Sequence, residues 1–156
     1  MSLGLGLSDL RDLKHIEGCR VVNSEVYIFD TAAFLSALQL YIYRGEIVTT
    51  PSVVKEVKDS ESIARLDVAA AVDRFHVEEP SARYIEEAKS IAKRMNLYGE
   101  LSETDIEVLA LAIEYRSRGR RPIVFTDDYD MQKILKTIGI EFRSIKNLGI
   151  HSGKRI

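Results

Sequence analysis

Pro122-Ile-Val-Phe-Thr-Asp-Asp-Tyr-Asp-Met-Gln132 is the stretch on which the fold turns. Its first half is a short run rich in β-branched and aromatic residues, the pattern of a strand buried on both faces. Acids follow at once and open a helix from Asp128 to about Ile138. Gly139 supplies its stop, and Ile140-Glu-Phe-Arg-Ser-Ile145 reads as a further strand. Upstream, the basic stretch Arg116-Ser-Arg-Gly-Arg-Arg121 is the exit of a helix begun by Ser102, with Ile106, Leu109, Ala110 and Ile113 at helical spacing. Further back, Arg20 to Phe29 reads as a strand ending at Asp30, and Thr31 opens an apolar helix to about Arg44. Ile47 to Thr50 is a short strand, and Pro51 suits the first turn of a helix to about Asp59. Helices over about Glu61 to Arg74 and Ser81 to Asn96 flank a strand-like Phe75 to Glu79, and Tyr98 to Glu100 is a loop. Strands separated by helices predict an α/β fold: a three-layer α/β/α domain with a central, mostly parallel sheet. That domain spans residues 19–150, after an N-terminal extension over 1–18 and before a tail over 151–156.

Composition narrows the class. At 156 residues the chain is one ordinary domain, and 22 Lys plus Arg against 24 Asp plus Glu leave a net charge of −2. That balance lacks the clearly basic footprint of a nucleic-acid binder, so any such function must come from local placement. A single cysteine, Cys19, excludes an intrachain disulfide framework and a Cys-based zinc ribbon, and it fits a reducing compartment. No apolar run approaches the ~20 residues that a bilayer requires, and the N-terminus lacks a signal peptide's basic start and apolar block. A cytoplasmic protein without a membrane partner is the expectation.

The acids are informative by position. Asp30 ends a strand and begins a helix, and Asp127 and Asp128 do the same after Thr126. Asp105 lies in the first turn after Ser102, and Glu56 lies in the second turn after Pro51. In an open parallel sheet, strand C-termini and helix N-termini gather at one edge, where ligands bind. Each acid also has a plain structural reading. Ser102-x-x-Asp105 is a capping box, Asp127-x-x-Asp130 resembles one, Asp30 can cap its own helix, and Glu56 can be a solvated surface residue. Four or five acids at one sheet edge repel one another unless a divalent cation neutralises them, and oxygen-only ligands suit Mg²⁺ or Mn²⁺ rather than zinc.

Four segments together resemble a known family. Phe29-Asp-Thr31, Thr50-Pro-Ser-Val-Val-Lys-Glu56, Leu101-Ser-Glu-Thr-Asp105 with Val108-Leu-Ala-Leu-Ala112, and Val124 to Gln132 are similar in order and spacing to the motifs of PIN-domain nucleases. Within that superfamily they look most like the Nob-type endonuclease that matures the 3′ end of small-subunit rRNA. The resemblance covers roughly Val26 to Ile145. It implies metal-site carboxylates at Asp30, Glu56 and Asp105, with the fourth from Asp127 or Asp128. The Thr-x-Asp form favours Asp128, with Thr126 as a supporting hydroxyl and Asp130 as an outer participant. Thr31 and Ser102, beside the acids, are supporting residues that hold a carboxylate in place. The implied chemistry is metal-dependent hydrolysis of RNA phosphodiester bonds by an activated water, with no protein nucleophile.

Nob-type enzymes usually continue into a Cys-rich zinc ribbon, whereas this sequence stops at Ile156 with one cysteine. A shortened relative, a piece of a longer chain and a free-standing PIN protein of another subfamily are all consistent with that. Three functions therefore stand side by side. The first is an rRNA-maturing endoribonuclease whose partner is pre-rRNA or the pre-small subunit. The second is a VapC-type toxin ribonuclease controlled by an antitoxin protein. The third is an inactive scaffold that binds RNA or protein, and a homodimer is compatible with any of them. Arg116, Arg118, Arg120 and Arg121 are read as solvated charge on the edge away from the acids, and Arg143, Lys146, His151, Lys154 and Arg155 likewise as solvated. His15 and His76 have no spaced partner. Packing is preferred over base stacking for Tyr98 and Tyr129.

Overall fold

The computed structural model describes residues 25–36, 38, 45–60 and 75–148. The expected helix over Glu61 to Arg74, the extension over 1–18, Cys19, His15 and the tail over 151–156 lie outside them. In chain order the elements are β1 (Glu25–Phe29), α1 (Thr31–Leu35), β2 (Glu46–Thr49), α2 (Pro51–Asp59), β3 (Phe75–Val77), α3 (Ala82–Arg94), a 3₁₀ turn at Tyr98–Glu100, α4 (Glu103–Ser117), β4 (Arg121–Phe125), α5 (Tyr129–Ile138), β5 (Glu141–Arg143) and a 3₁₀ turn at Lys146–Leu148.

The five strands form one sheet in the order β3-β2-β1-β4-β5, and every pairing is parallel. Successive strands move outward from β1 in one direction and then, after a return, outward from β4 in the other. Right-handed crossovers put α1 and α2 on one face and α3, α4 and α5 on the other, giving the α/β/α layers that the sequence predicts. The reversal falls between β1 and β4, the two central strands, which is where open sheets bind ligands.

The central strands are apolar because both faces are covered: Val26, Ile28 and Phe29 in β1 and Ile123, Val124 and Phe125 in β4 are buried. Pro122 is tolerated in β4 because β5 pairs only from Ile123 onward. Helix α4 lies deep in the molecule. Val108 through Tyr115 are all buried, and the helix reaches the surface at its first turn and at its last residues, Arg116 and Ser117. The register sets Phe29 opposite Phe125, so both strands end at the same level. Those rings stack edge-on at 5.4 Å, Phe29 meets Phe34 at 5.0 Å, and Phe34 meets Phe75 at 4.9 Å. This aromatic floor supports the residues that follow each strand, Asp30 and Thr126, and truncating Phe29 to alanine costs about 3–5 kcal/mol.

Candidate active site

Four helix N-termini open at the carboxyl edge of the sheet, and each is capped by the residues that the sequence singles out. Asp30 caps α1, its Oδ1 accepting from the Ala33 amide at 2.8 Å. Thr50 caps α2. Ser102 and Asp105 cap α4 as a reciprocal box, with Ser102 N donating to Asp105 Oδ2 at 2.9 Å and Asp105 N donating to Ser102 Oγ at 3.1 Å. Asp128 caps α5, its Oδ1 accepting from Met131 N at 2.9 Å. The plain reading and the functional one therefore coexist. Each of the Asp105 and Asp128 caps engages one carboxylate oxygen, and an ionised carboxylate can accept on both. The caps fix where these acids stand, and the helix dipoles favour their charge.

Asp30 is 8% exposed and sits at the centre of the group. Burial pushes its carboxyl up to about 6, and the neighbouring charges of Asp105 and Asp127 push the same way, against hydrogen bonds from Thr126 and Ala33. Asp105 is also raised, by burial first and then by Asp128 and Glu56, with the Ser102 bonds opposing. These repulsions link Asp30 to Asp105 and Asp127, and Asp105 in turn to Asp128 and Glu56. Among the described residues no lysine, arginine or histidine pairs with Asp30, Glu56, Asp105 or Asp128. Neutralisation from outside the chain fits this donor set, which is hard oxygen throughout. Among the described residues, no three acids already converge at metal-ligand geometry.

Thr126 is fully buried and joins the two central strand ends. It bonds Asp30, and its Oγ1 accepts from Asp128 N at 3.1 Å. Its carbonyl accepts from Gln132 Nε2 at 2.9 Å, and its amide donates to Arg143 O at 3.1 Å. Glu56 is exposed yet held: Thr31 Oγ1 donates to Oε2 at 2.5 Å, and Thr104 Oγ1 donates to Oε1 at 2.6 Å. Thr104 is the residue that sequence reasoning missed. The available signal was a hydroxyl placed between Ser102 and Asp105, in a turn already aimed at the acids.

Asp127 differs from its expected capping role. β4 ends at Phe125, so the chain turns at Thr126 and Asp128 takes the cap. Asp127 faces the exit of β5, where its Oδ1 accepts from Ser144 Oγ at 2.7 Å, Ile145 N at 2.8 Å and Lys146 N at 3.2 Å. Asp130 lies in the first turn of α5 with Lys133 Nζ at 3.4 Å.

Arg120 and Arg121 lie on the opposite edge, as expected, among the first residues of β2, β1 and β5, whereas Arg118 reaches Glu78, just past the carboxyl end of β3, and Arg116 donates to the Ile138 carbonyl. Arg118 bonds Glu78 at 2.6 Å and Glu114 at 2.9 Å, Arg120 bonds Glu46 at 2.8 Å, and Arg121 bonds Glu25 and Glu141. His76 contacts Glu78. The preference for packing fails at Tyr129, which is 69% exposed because α5 buries Met131, Ile134 and Leu135 instead. Tyr98 is 40% exposed and lines a cavity of about 320 Å³ with Ile85, Leu101 and Ile106. No helix among the described residues is long and apolar enough to cross a membrane.

Comparison with known proteins agrees with this layout. A family model described as the PIN domain of ribonuclease matches residues 27–115. The chain is 36% identical to ribonuclease VapC3 of Aeropyrum pernix, over 80% of this chain and 88% of that protein. It is 37% identical to endoribonuclease Nob1 of Pyrococcus abyssi, over 76% of this chain and 68% of that protein. A PilT N-terminus domain protein from Sulfolobus solfataricus shares the fold, with a TM-score of 0.52 and 16% identity over 84% of this chain and 98% of that one. With the matched region running from β1 through α4, the chain belongs to the PIN-domain family and is an endoribonuclease of that family.

Proposed function

We propose that the chain is a Mg²⁺- or Mn²⁺-dependent endoribonuclease that acts in 3′-end maturation of small-subunit rRNA, in the cytoplasm. The observation that supports it is the buried Asp30, raised by burial and by neighbouring carboxylates, at the point where the strand order reverses. Asp30, Glu56, Asp105 and Asp128 are the catalytic, ion-holding carboxylates in this reading. One or two bound ions would activate a water and neutralise charge on the scissile phosphate. The chain's own residues prepare that edge. Thr31 and Thr104 fix both oxygens of Glu56, Ser102 orients Asp105, and Thr126 ties Asp30 to the Asp128 amide. Asp127 anchors the β5 exit and adds negative charge beside Asp30. Similarity to Nob1 of Pyrococcus abyssi, 37% identical over 76% of this chain, supports the rRNA substrate.

A second reading, a VapC-type toxin ribonuclease with an antitoxin partner, is favoured by the match to VapC3 over 88% of that protein. Incubating a small-subunit rRNA precursor that spans the mature 3′ end with Mn²⁺ separates the two. A single cut at that end, lost in Asp30→Asn and Asp128→Asn, supports rRNA maturation. Cleavage of generic RNA without that cut, together with growth arrest relieved by a co-expressed small protein, supports the toxin.

A further inference from the structure

Tyr129 is the most exposed of the large hydrophobic side chains described, at 69%. It follows Asp128 directly and opens α5, so its ring stands at the rim of the acidic edge. The fold does not require it, since α5 packs through Met131, Ile134 and Leu135. One turn further on, Lys133 sets its ammonium 4.4 Å from the ring centroid and 3.4 Å from Asp130. Tyr98, the other strongly exposed tyrosine described, also has a lysine beside it, Lys93 at 4.9 Å, but its ring lines a cleft with Ile85, Leu101 and Ile106 and lies in the loop before α4 rather than beside Asp128.

The surroundings limit what can occupy such a ring. Asp127, Asp128 and Asp130 flank it, so the apolar patch is one ring wide, far below the several hundred Å² that an apolar protein contact covers. A flat π-face beside a cation suits a flat, neutral group attached to an anion, which describes a nucleobase on its phosphate. We propose that Tyr129 stacks an unpaired base of the RNA next to the scissile phosphodiester while Lys133 holds the adjoining phosphate. This rests on the nuclease reading above and names the residues that hold the nucleotide beside that site. Bases in a duplex are already stacked and paired, so duplex RNA cannot use the ring.

The chain contains no tryptophan, so Tyr129→Trp introduces a single indole reporter. In an Asp30→Asn background, its emission is quenched by a short single-stranded oligoribonucleotide, and not by the same oligomer made abasic or annealed to its complement. Tyr129→Ala in that background binds the single strand about tenfold more weakly than Tyr129→Phe, as loss of one stacked base predicts. Lys133→Ala lowers the salt slope of binding by about 0.7. Equal quenching by the base-bearing and abasic oligomers, or equal affinity of the Ala and Phe variants, overturns the proposal and leaves the ring for a protein partner. Cleavage by the wild type is measured in parallel. An indole that reports the base in a protein that cuts no RNA sinks the nuclease reading alone, and a silent indole in an active enzyme sinks the base site alone.

Discussion

Replacing Asp30 by asparagine is expected to stabilise the fold at neutral pH while abolishing cleavage. The Asp30 carboxyl is 8% exposed and is raised from 3.8 to about 6, by burial first and then by Asp105 and Asp127. At about 1.4 kcal/mol per pKa unit, its ionised form stores about 3 kcal/mol of unfavourable free energy. The sign follows from proton counting. Between pH 3.8 and about 6 the folded chain holds the Asp30 proton more tightly than the unfolded chain, so stability falls as pH rises through that window. Below 3.8 the penalty is absent, and above about 6 it is complete. Asparagine keeps a carbonyl oxygen to cap the Ala33 amide and is as good an N-cap as aspartate. Its main effect is to remove the charge. Unfolding with divalent ions chelated should show Asp30→Asn more stable than wild type by up to about 3 kcal/mol at pH 7, a gain of about 6–12 °C in Tm, with the two nearly equal at pH 3.5. Added Mn²⁺ at 100 times its dissociation constant should return about 2.7 kcal/mol to the wild type, and less to the variant. An asparagine variant less stable than wild type at pH 7, or a gap independent of pH, refutes the reasoning.

Thr104→Val removes one of the two hydroxyls that hold Glu56, and cleavage should fall about tenfold or more with little change in Tm, as expected of a residue that orients a ligand. Tyr115→Phe removes the 2.7 Å bond to Glu78, a residue outside the acidic group, so denaturant unfolding should show a loss of about 1 kcal/mol while cleavage is unchanged. Gly45 has φ +99, and a Cβ there would lie 2.5 Å from Tyr27 Cε2, so Gly45→Ala should destabilise by about 2 kcal/mol or more. Gly139 has φ +75 with open space around it, so Gly139→Ala should cost only about 1 kcal/mol, as read from urea midpoints.

The layered fold was legible because its central elements carry unambiguous local chemistry. The Ile123 to Phe125 run, the acids after it and the Gly139 stop mark a strand, a cap and a helix end without any tertiary information. The placement of four candidate acids was legible for the same reason, since caps and strand ends are local and a parallel sheet puts them on one edge. What pairs with what was not legible. Asp127 and Asp128 are adjacent and chemically identical, and only the position of β5, through Ser144, Ile145 and Lys146, decides that one is an anchor and the other a cap. Thr104 reaches Glu56 across 48 residues, a contact that helix periodicity does not encode. Tyr129 looked like a packing residue because aromatic side chains usually are, and its exposure follows from the rotation of α5, which Met131, Ile134 and Leu135 set jointly. Arg120 and Arg121 were assigned to the correct edge, but their acidic partners come from β1, β2 and β5, and Arg118 reaches the segment after β3.

The central claim is that the clustered carboxylates at the end of β1 and β4 hold a divalent ion that drives RNA hydrolysis. A Mn²⁺ titration of single-stranded RNA cleavage tests it most directly, comparing wild type with Asp105→Asn, whose amide keeps the Ser102 cap. The account predicts cleavage by the wild type that saturates with Mn²⁺ and disappears with a chelator, and a variant that folds normally but cuts at least a hundredfold more slowly. Cleavage that persists in the chelator, or an Asp105→Asn enzyme with wild-type rate and Mn²⁺ dependence, contradicts it.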